Sequence, residues 1–169
     1  MIKIFTTGGT IDKVYFDAKS EYAVGTPQIL SILENAVFQP EYELEILLQK
    51  DSLDLTDEDR AMIVDRVRGE PASRILITHG TDTMAETARA LMDIDGKVIV
   101  LVGSLSPARF KGTDAEFNIG FALGALAALP DGVYVAMNGR AFAAEDVRKN
   151  RAENRFESAS GELEHGAGA

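Results

Sequence analysis

Three short stretches carry residue types that can do acyl chemistry. The first, Ile2-Lys3-Ile4-Phe5-Thr6-Thr7-Gly8-Gly9-Thr10-Ile11, is a β-rich run that stops at two glycines and then presents a threonine. Glycines let the backbone turn tightly or let another group come close. The second is His79-Gly80-Thr81-Asp82-Thr83, and the third is Asp146-Val147-Arg148-Lys149. A threonine hydroxyl is a poor nucleophile until a base takes its proton. Bases are few, since the chain has two histidines. His165 lies in the C-terminal tail, and His79, directly after a strand, reads as a hydrogen-bonded structural residue because buried polar groups are paired. Lys149 serves as a base only where burial disfavours its charged form. The bland readings are a solvated loop hydroxyl for Thr10 and a surface lysine for Lys149.

These groups need elements to hold them. Strand patterns fall in the run from Ile2 to the Gly8-Gly9 pair and at Leu44–Leu48, Arg74–Thr78, Lys97–Val102 and Val133–Met137. Helix patterns fall between them. Thr26-Pro27 reads as a helix start with Thr26 as N-cap, and Ile29, Leu30, Ile32, Leu33 and Val37 give that helix an apolar face. Thr56 caps the next helix, with Asp57, Glu58 and Asp59 in its first turn. A third helix puts Met84, Ala88, Leu91 and Met92 on one face, and a fourth covers roughly 114–129. Residues 12–26 are too long for a tight turn and read as a flexible lid or hairpin after the first strand. The alternation predicts an α/β fold: one doubly wound, mainly parallel sheet of about five strands with helices on both faces. Residues 1–158 are expected to form one domain and 159–169 a loose tail, poor in groups to bury. In a flavodoxin-like strand order the first and third strands are neighbours. Their carboxyl ends then bring Thr10 and Thr81-Asp82 into one crevice, with Ser52 arriving from the second strand. Glycine amides there, such as those of Gly9 and Gly80, can form an oxyanion hole.

Composition narrows the classes. The 169 residues carry a net charge of −10, which disfavours nucleic acid and anionic lipid as partners. Absence of cysteine excludes disulfides, thiolate metal sites and a cysteine nucleophile. No apolar run is long enough to span a bilayer, and the charged first strand is unlike a signal peptide, so a cytoplasmic location is the default expectation. Neither a Walker motif nor a dinucleotide fingerprint opens a helix.

Thr-Gly-Gly-Thr-Ile at 7–11, His-Gly-Thr-Asp-Thr-Met at 79–84 and Asp-Val-Arg-Lys at 146–149 together resemble the N-terminal domain of the bacterial-type L-asparaginase family, across about residues 2–158. Lys-Ser-x-Tyr-x-Val-Gly at 19–25 is similar to that family's mobile active-site loop, and Asp-Ser at 51–52 to its substrate-carboxylate loop. The resemblance implies hydrolysis of L-asparagine to L-aspartate and ammonia without a metal or other cofactor. It implies Thr10 as nucleophile, with Tyr22 as its activating partner on the lid; Tyr15 is a second loop tyrosine able to stand in for Tyr22. Thr81, Asp82 and Lys149 would form a second catalytic constellation, with Thr81 holding or activating the water. Ser52 and Asp82 would bind the α-carboxylate and α-amino groups. Asp51, Gly9, Gly80 and Ser104 complete the candidate substrate-binding set.

The chain also departs from the family pattern. Relatives are commonly about twice as long, with a second domain that completes a neighbour's site. Leu53 stands where many carry a polar residue, and Gly103-Ser104-Leu105-Ser106-Pro107 replaces the usual Gly-Ala-Met-Arg-Pro. A homo-oligomer, dimer or tetramer, is expected. Alternatives are an amidase for glutamine or another small amide, and a non-catalytic amino-acid-binding domain.

Overall fold

The computed structural model describes residues 1–16 and 21–160. Among these residues, ten strands and four α-helices follow in order. β1 is Ile2–Gly8, β2 Lys13–Phe16, β3 Glu21–Val24 and β4 Tyr42–Lys50. β5 is Arg74–Thr78, β6 Val98–Val102, β7 Gly132–Met137 and β8 Arg140–Ala143. β9 is Val147–Asn150 and β10 Arg155–Ser158. The helices are α1 Ile29–Asn35, α2 Asp57–Gly69, α3 Met84–Ala90 and α4 Ala115–Ala128.

The main sheet has six strands in the order β4-β1-β5-β6-β7-β8. The first five are parallel, and β8 closes the edge antiparallel to β7. β1 therefore lies between β4 and β5, as the flavodoxin-like order requires, and its carboxyl end is the switch point. β6 is buried at all five positions, as expected of a strand covered on both faces. The expected sheet of about five strands is thus present, with one antiparallel strand added.

Helix placement gives the connections their hands. α1 and α4 pack against each other on one face, and α2 and α3 on the other. The steps β5–α3–β6 and β6–α4–β7 run in the same direction across the sheet. Their helices nevertheless lie on opposite faces, so the two crossovers have opposite hands. β1–α1–β4 steps the other way and shares its face with α4, which makes β6–α4–β7 the left-handed exception to the usual right-handed rule.

Local boundaries follow the chemistry of the caps. α2 starts at a full capping box: the Asp59 amide donates to Thr56 Oγ1 at 3.2 Å, and the Thr56 amide to Asp59 Oδ2 at 3.0 Å. α1 departs from expectation. It begins at Ile29 with Gln28 as N-cap, not at Thr26. The Gln28 amide is satisfied by Asp12 Oδ1 at 2.8 Å, a partner sixteen residues away. Ile29, Ile32 and Leu33 are buried as expected, whereas Leu30 and Val37 are exposed; Val37 lies beyond the helix with φ 50°. Likewise Met84, Ala88 and Leu91 are buried but Met92 is exposed.

Two small antiparallel pairs lie outside the main sheet. β2 and β3 form a hairpin within the segment read as a lid, with Tyr15 opposite Tyr22. Lys19 and Ser20, in the lid motif, lie outside the described residues. β9 pairs with β10 and is anchored by buried Val147 and Phe156. The chain beyond Ser158 remains held for two residues: the Ala159 and Ser160 amides donate to Asp146 O at 2.9 Å and Asp146 Oδ1 at 2.8 Å. Residues 161–169 of the expected loose tail, with His165, lie outside the described residues.

Candidate active site

Three loops press together at the carboxyl ends of β1, β4 and β5, and glycine makes this possible. Gly9 has φ 90°, and a Cβ on it would lie 2.4 Å from Gly80 Cα and N. A Cβ on Gly80 would lie 2.5 Å from Ser52 Oγ. Only residues without side chains allow such approach. The Gly9, Gly80 and Ser52 backbones are thereby stacked in sequence. Thr10 opens a 3-10 turn, Thr10–Asp12, directly after Gly9 and is half-buried. Ser52 opens another, Ser52–Asp54, and is 2% exposed. Thr83 Oγ1 donates to Ser52 O at 2.8 Å, tying the β5 loop to the β4 loop.

Lys149 reaches this edge from β9. Its ammonium donates to Thr81 Oγ1 and to Asp82 Oδ1, both at 2.8 Å. Thr81 is buried, and the lysine side chain is 11% exposed, so the surface-lysine reading does not hold. Arg89 of α3 fixes β9 by donating to Val147 O at 2.5 Å. The three expected partners, Thr81, Asp82 and Lys149, thus form one hydrogen-bonded cluster.

Asp51 sits beside them. Burial alone would raise its carboxyl, but an ion pair with Lys13 at 2.6 Å, the Leu53 amide and the nearby charge of Lys149 hold it below its ordinary value. His79 is structural. It is fully buried, with Nδ1 2.7 Å from Gly80 O and Nε2 2.8 Å from Thr87 Oγ1. The carbonyl can only accept, so Nδ1 donates and Nε2 accepts from the threonine. Burial pushes the imidazole down to about 4 against the hydrogen bond to Gly80, which favours the charged form.

The loop after β6, residues 103–114, bends over the Thr10 turn. The Asp114 carboxylate receives the Leu105 and Ser106 amides, and Asn118 Nδ2 donates to Asp114 at 2.8 Å and to Gly103 O at 3.1 Å. The Ala108 amide donates to Ile11 O at 3.1 Å. Phe110 packs edge-on against Tyr22, with ring centroids 5.7 Å apart. Asp114, Asn118 and Phe110 were not among the sequence candidates. Asp114 followed four residues later by Asn118 at a helix start was the available signal. Ser104 turns its hydroxyl inward to Ser106 O at 2.5 Å. Tyr22 is half exposed and packs on Tyr15 at 5.3 Å as well as on Phe110. Among the described residues, no hydrogen bond joins its hydroxyl to Thr10. No group of three or more metal-ligating side chains occurs among them either.

The family model for the asparaginase N-terminal domain matches residues 1–164. This chain belongs to the asparaginase family. A probable periplasmic L-asparaginase of Haemophilus influenzae is 34% identical over 163 residues, 88% of this chain and 46% of that protein. A glutaminase-asparaginase of Acinetobacter glutaminasificans is 39% identical over 112 residues, 60% of this chain and 34% of that protein. The crystal structure of a probable cytoplasmic L-asparaginase from Campylobacter jejuni superposes with a TM-score of 0.74 at 29% identity, covering 93% of this chain and 51% of that one. The chain thus spans about half the length, or less, of these family members. The α/β fold is the family's fold. No helix among the described residues is long and apolar enough to cross a membrane.

Proposed function

We propose that this chain hydrolyses the side-chain amide of L-asparagine, giving L-aspartate and ammonia. Thr10 Oγ attacks the amide carbon as its proton passes to a base, and the C–N bond breaks as the amine takes up a proton and leaves as ammonia. Water then attacks the acyl-threonine ester, releasing the acid and restoring the hydroxyl. Lys149, Asp82 and Thr81 act as the proton-handling and water-positioning group, and Tyr22 assists Thr10. Ser52 and Asp82 hold the α-carboxylate and α-amino groups, with Asp51, Gly9, Gly80 and Ser104 lining the same crevice. The observation that carries this reading is the double hydrogen bond from Lys149 to Thr81 and Asp82, in a member of this family. The assignment needs no metal.

Glutamine is the second substrate to consider, because a relative carries the name glutaminase-asparaginase. Ammonia release from a panel containing asparagine, glutamine and short aspartyl amides tests both readings. Release from none of them would favour an amino-acid-binding role. We further place the chain in the cytoplasm, like the probable cytoplasmic L-asparaginase of Campylobacter jejuni and unlike the probable periplasmic relative of Haemophilus influenzae. Cell fractionation decides that point. A homo-oligomer is part of the same reading, closed symmetric assemblies being the commonest. Sedimentation at working concentration measures the state.

A further inference from the structure

Asp12 stands two residues after Thr10 and has no role in the chemistry above. It is 2% exposed, yet it is a carboxylic acid. Its Oδ1 accepts the Gln28 amide at 2.8 Å, its carbonyl accepts the Gly25 amide at 2.8 Å, and its own amide donates to Gly9 O at 3.1 Å. Gln28 extends the junction: Nε2 donates to Thr26 O at 2.7 Å, and Oε1 accepts from Arg109 Nε at 3.0 Å. The two ends of the β2–β3 hairpin and the start of α1 therefore meet at Asp12, the hairpin through its backbone and α1 through its buried carboxyl, and the loop after β6 joins them through Gln28.

We infer that Asp12 is a positioning residue that fastens the base of the β2–β3 hairpin and the start of α1 to the Thr10 turn, fixing Thr10 and Tyr22 relative to each other. The inference rests on the proposed roles of Thr10 and Tyr22. The charged groups around the junction face elsewhere: Lys13 pairs with Asp51, and Arg109 bonds Gln28. Burial pushes the Asp12 carboxyl up to about 7, partly offset by the Gln28 amide. Below that pH the junction holds a neutral acid. Above it, an ionised group without a counter-charge is relieved by hydration, which loosens the Gly25 and Gln28 contacts.

The experiment compares the native chain with Asp12→Asn, which keeps a carbonyl acceptor for Gln28 and cannot ionise. Amide exchange at Gly25 and Gln28 is followed at pH 5 and pH 7.5, beside kcat and KM for asparagine. Protection in the native chain is expected to fall about tenfold, after correction for intrinsic exchange, and to stay level in the variant. KM of the native chain should rise several-fold over the same interval while kcat changes less, and the variant should lose that KM dependence. A simple helix cap would shift stability without this split. Equal protection profiles, or equal KM profiles in two active proteins, overturn the inference. Exchange needs no turnover, so pH-dependent protection without any asparagine hydrolysis would reject the proposed function alone. If Asp12→Asn does not fold, the carboxyl carbon of Asp12 is titrated by NMR in the native chain. An apparent pKa near 4, or Gly25 and Gln28 shifts that ignore the titration, overturns the inference.

Discussion

Lys149 and Asp82 form an ion pair at 2.8 Å, and the lysine's same ammonium holds the Thr81 hydroxyl at 2.8 Å. The pair joins β9, outside the main sheet, to the loop after β5 inside it. An exposed pair of this kind contributes little to stability, but this lysine is 11% exposed and is shared with a hydroxyl. In the proposed function this ammonium orients protons at the sheet edge.

Lys149→Met is therefore expected to lower kcat about 10²–10⁴-fold, the range for a lost proton-transfer partner, with a smaller change in KM. Steady-state ammonia release measures both constants. A change confined to KM would make Lys149 a binding residue.

Thr10→Ala is expected to abolish turnover, with kcat lower by about 10³-fold or more, while the melting temperature stays near native. The side chain is half-buried in a one-turn loop, and its removal opens no core cavity. Undiminished ammonia release from a folded variant would reject Thr10 as nucleophile.

Gly80→Ala tests the stacked loops. The added methyl would sit 2.5 Å from Ser52 Oγ and 2.6 Å from Ser52 Cβ, so Ser52 must move. The expected cost is about 1–3 kcal/mol, with KM raised more than kcat is lowered. Gly69→Ala is the control, since nothing lies within 4 Å of its Cβ position at the end of α2. It should leave kinetics unchanged and stability equal or higher by about 0.5–1 kcal/mol. Equal kinetics in both variants would detach Ser52 from substrate binding.

Much of this arrangement is legible in the sequence because it is local. Strands β5 and β6 are runs of apolar residues, Thr56 and Asp59 spell their capping box, and Gly8-Gly9 ends a strand. The crevice follows from strand order alone. What could not be read is long-range. Asp12 capping α1 replaces the local cap expected from Thr26, and no spacing rule connects residues 12 and 28. The left hand of β6–α4–β7 runs against the usual rule, so the approach of Phe110 to Tyr22 had no signal. Strands β8, β9 and β10 are four residues each, too short for a periodic pattern, although β9 carries Lys149.

Two buried groups give stability opposite dependences on pH. His79 has its folded value lowered to about 4 from 6.5, so the folded chain binds fewer protons than the unfolded one between those limits. Its contribution is full above pH 6.5 and is lost as pH falls toward 4, by about 3 kcal/mol at 1.36 kcal/mol per unit. Asp12 is raised to about 7 from 3.8. Its contribution is full below pH 3.8 and is lost as pH rises through 7. Between pH 4 and 6.5 the two slopes oppose each other. His79→Gln can keep a donor for Gly80 and an acceptor for Thr87 while removing the titration. The variant should thus be closer to native stability at pH 4.5 than at pH 6.5, by about 2–3 kcal/mol. Asp12→Asn should show the reverse, losing ground to the native chain as pH falls. Urea unfolding of the three proteins at both values measures the differences. A His79→Gln deficit that is equal at the two pH values would mean that this imidazole titrates normally and is not the buried neutral group described above.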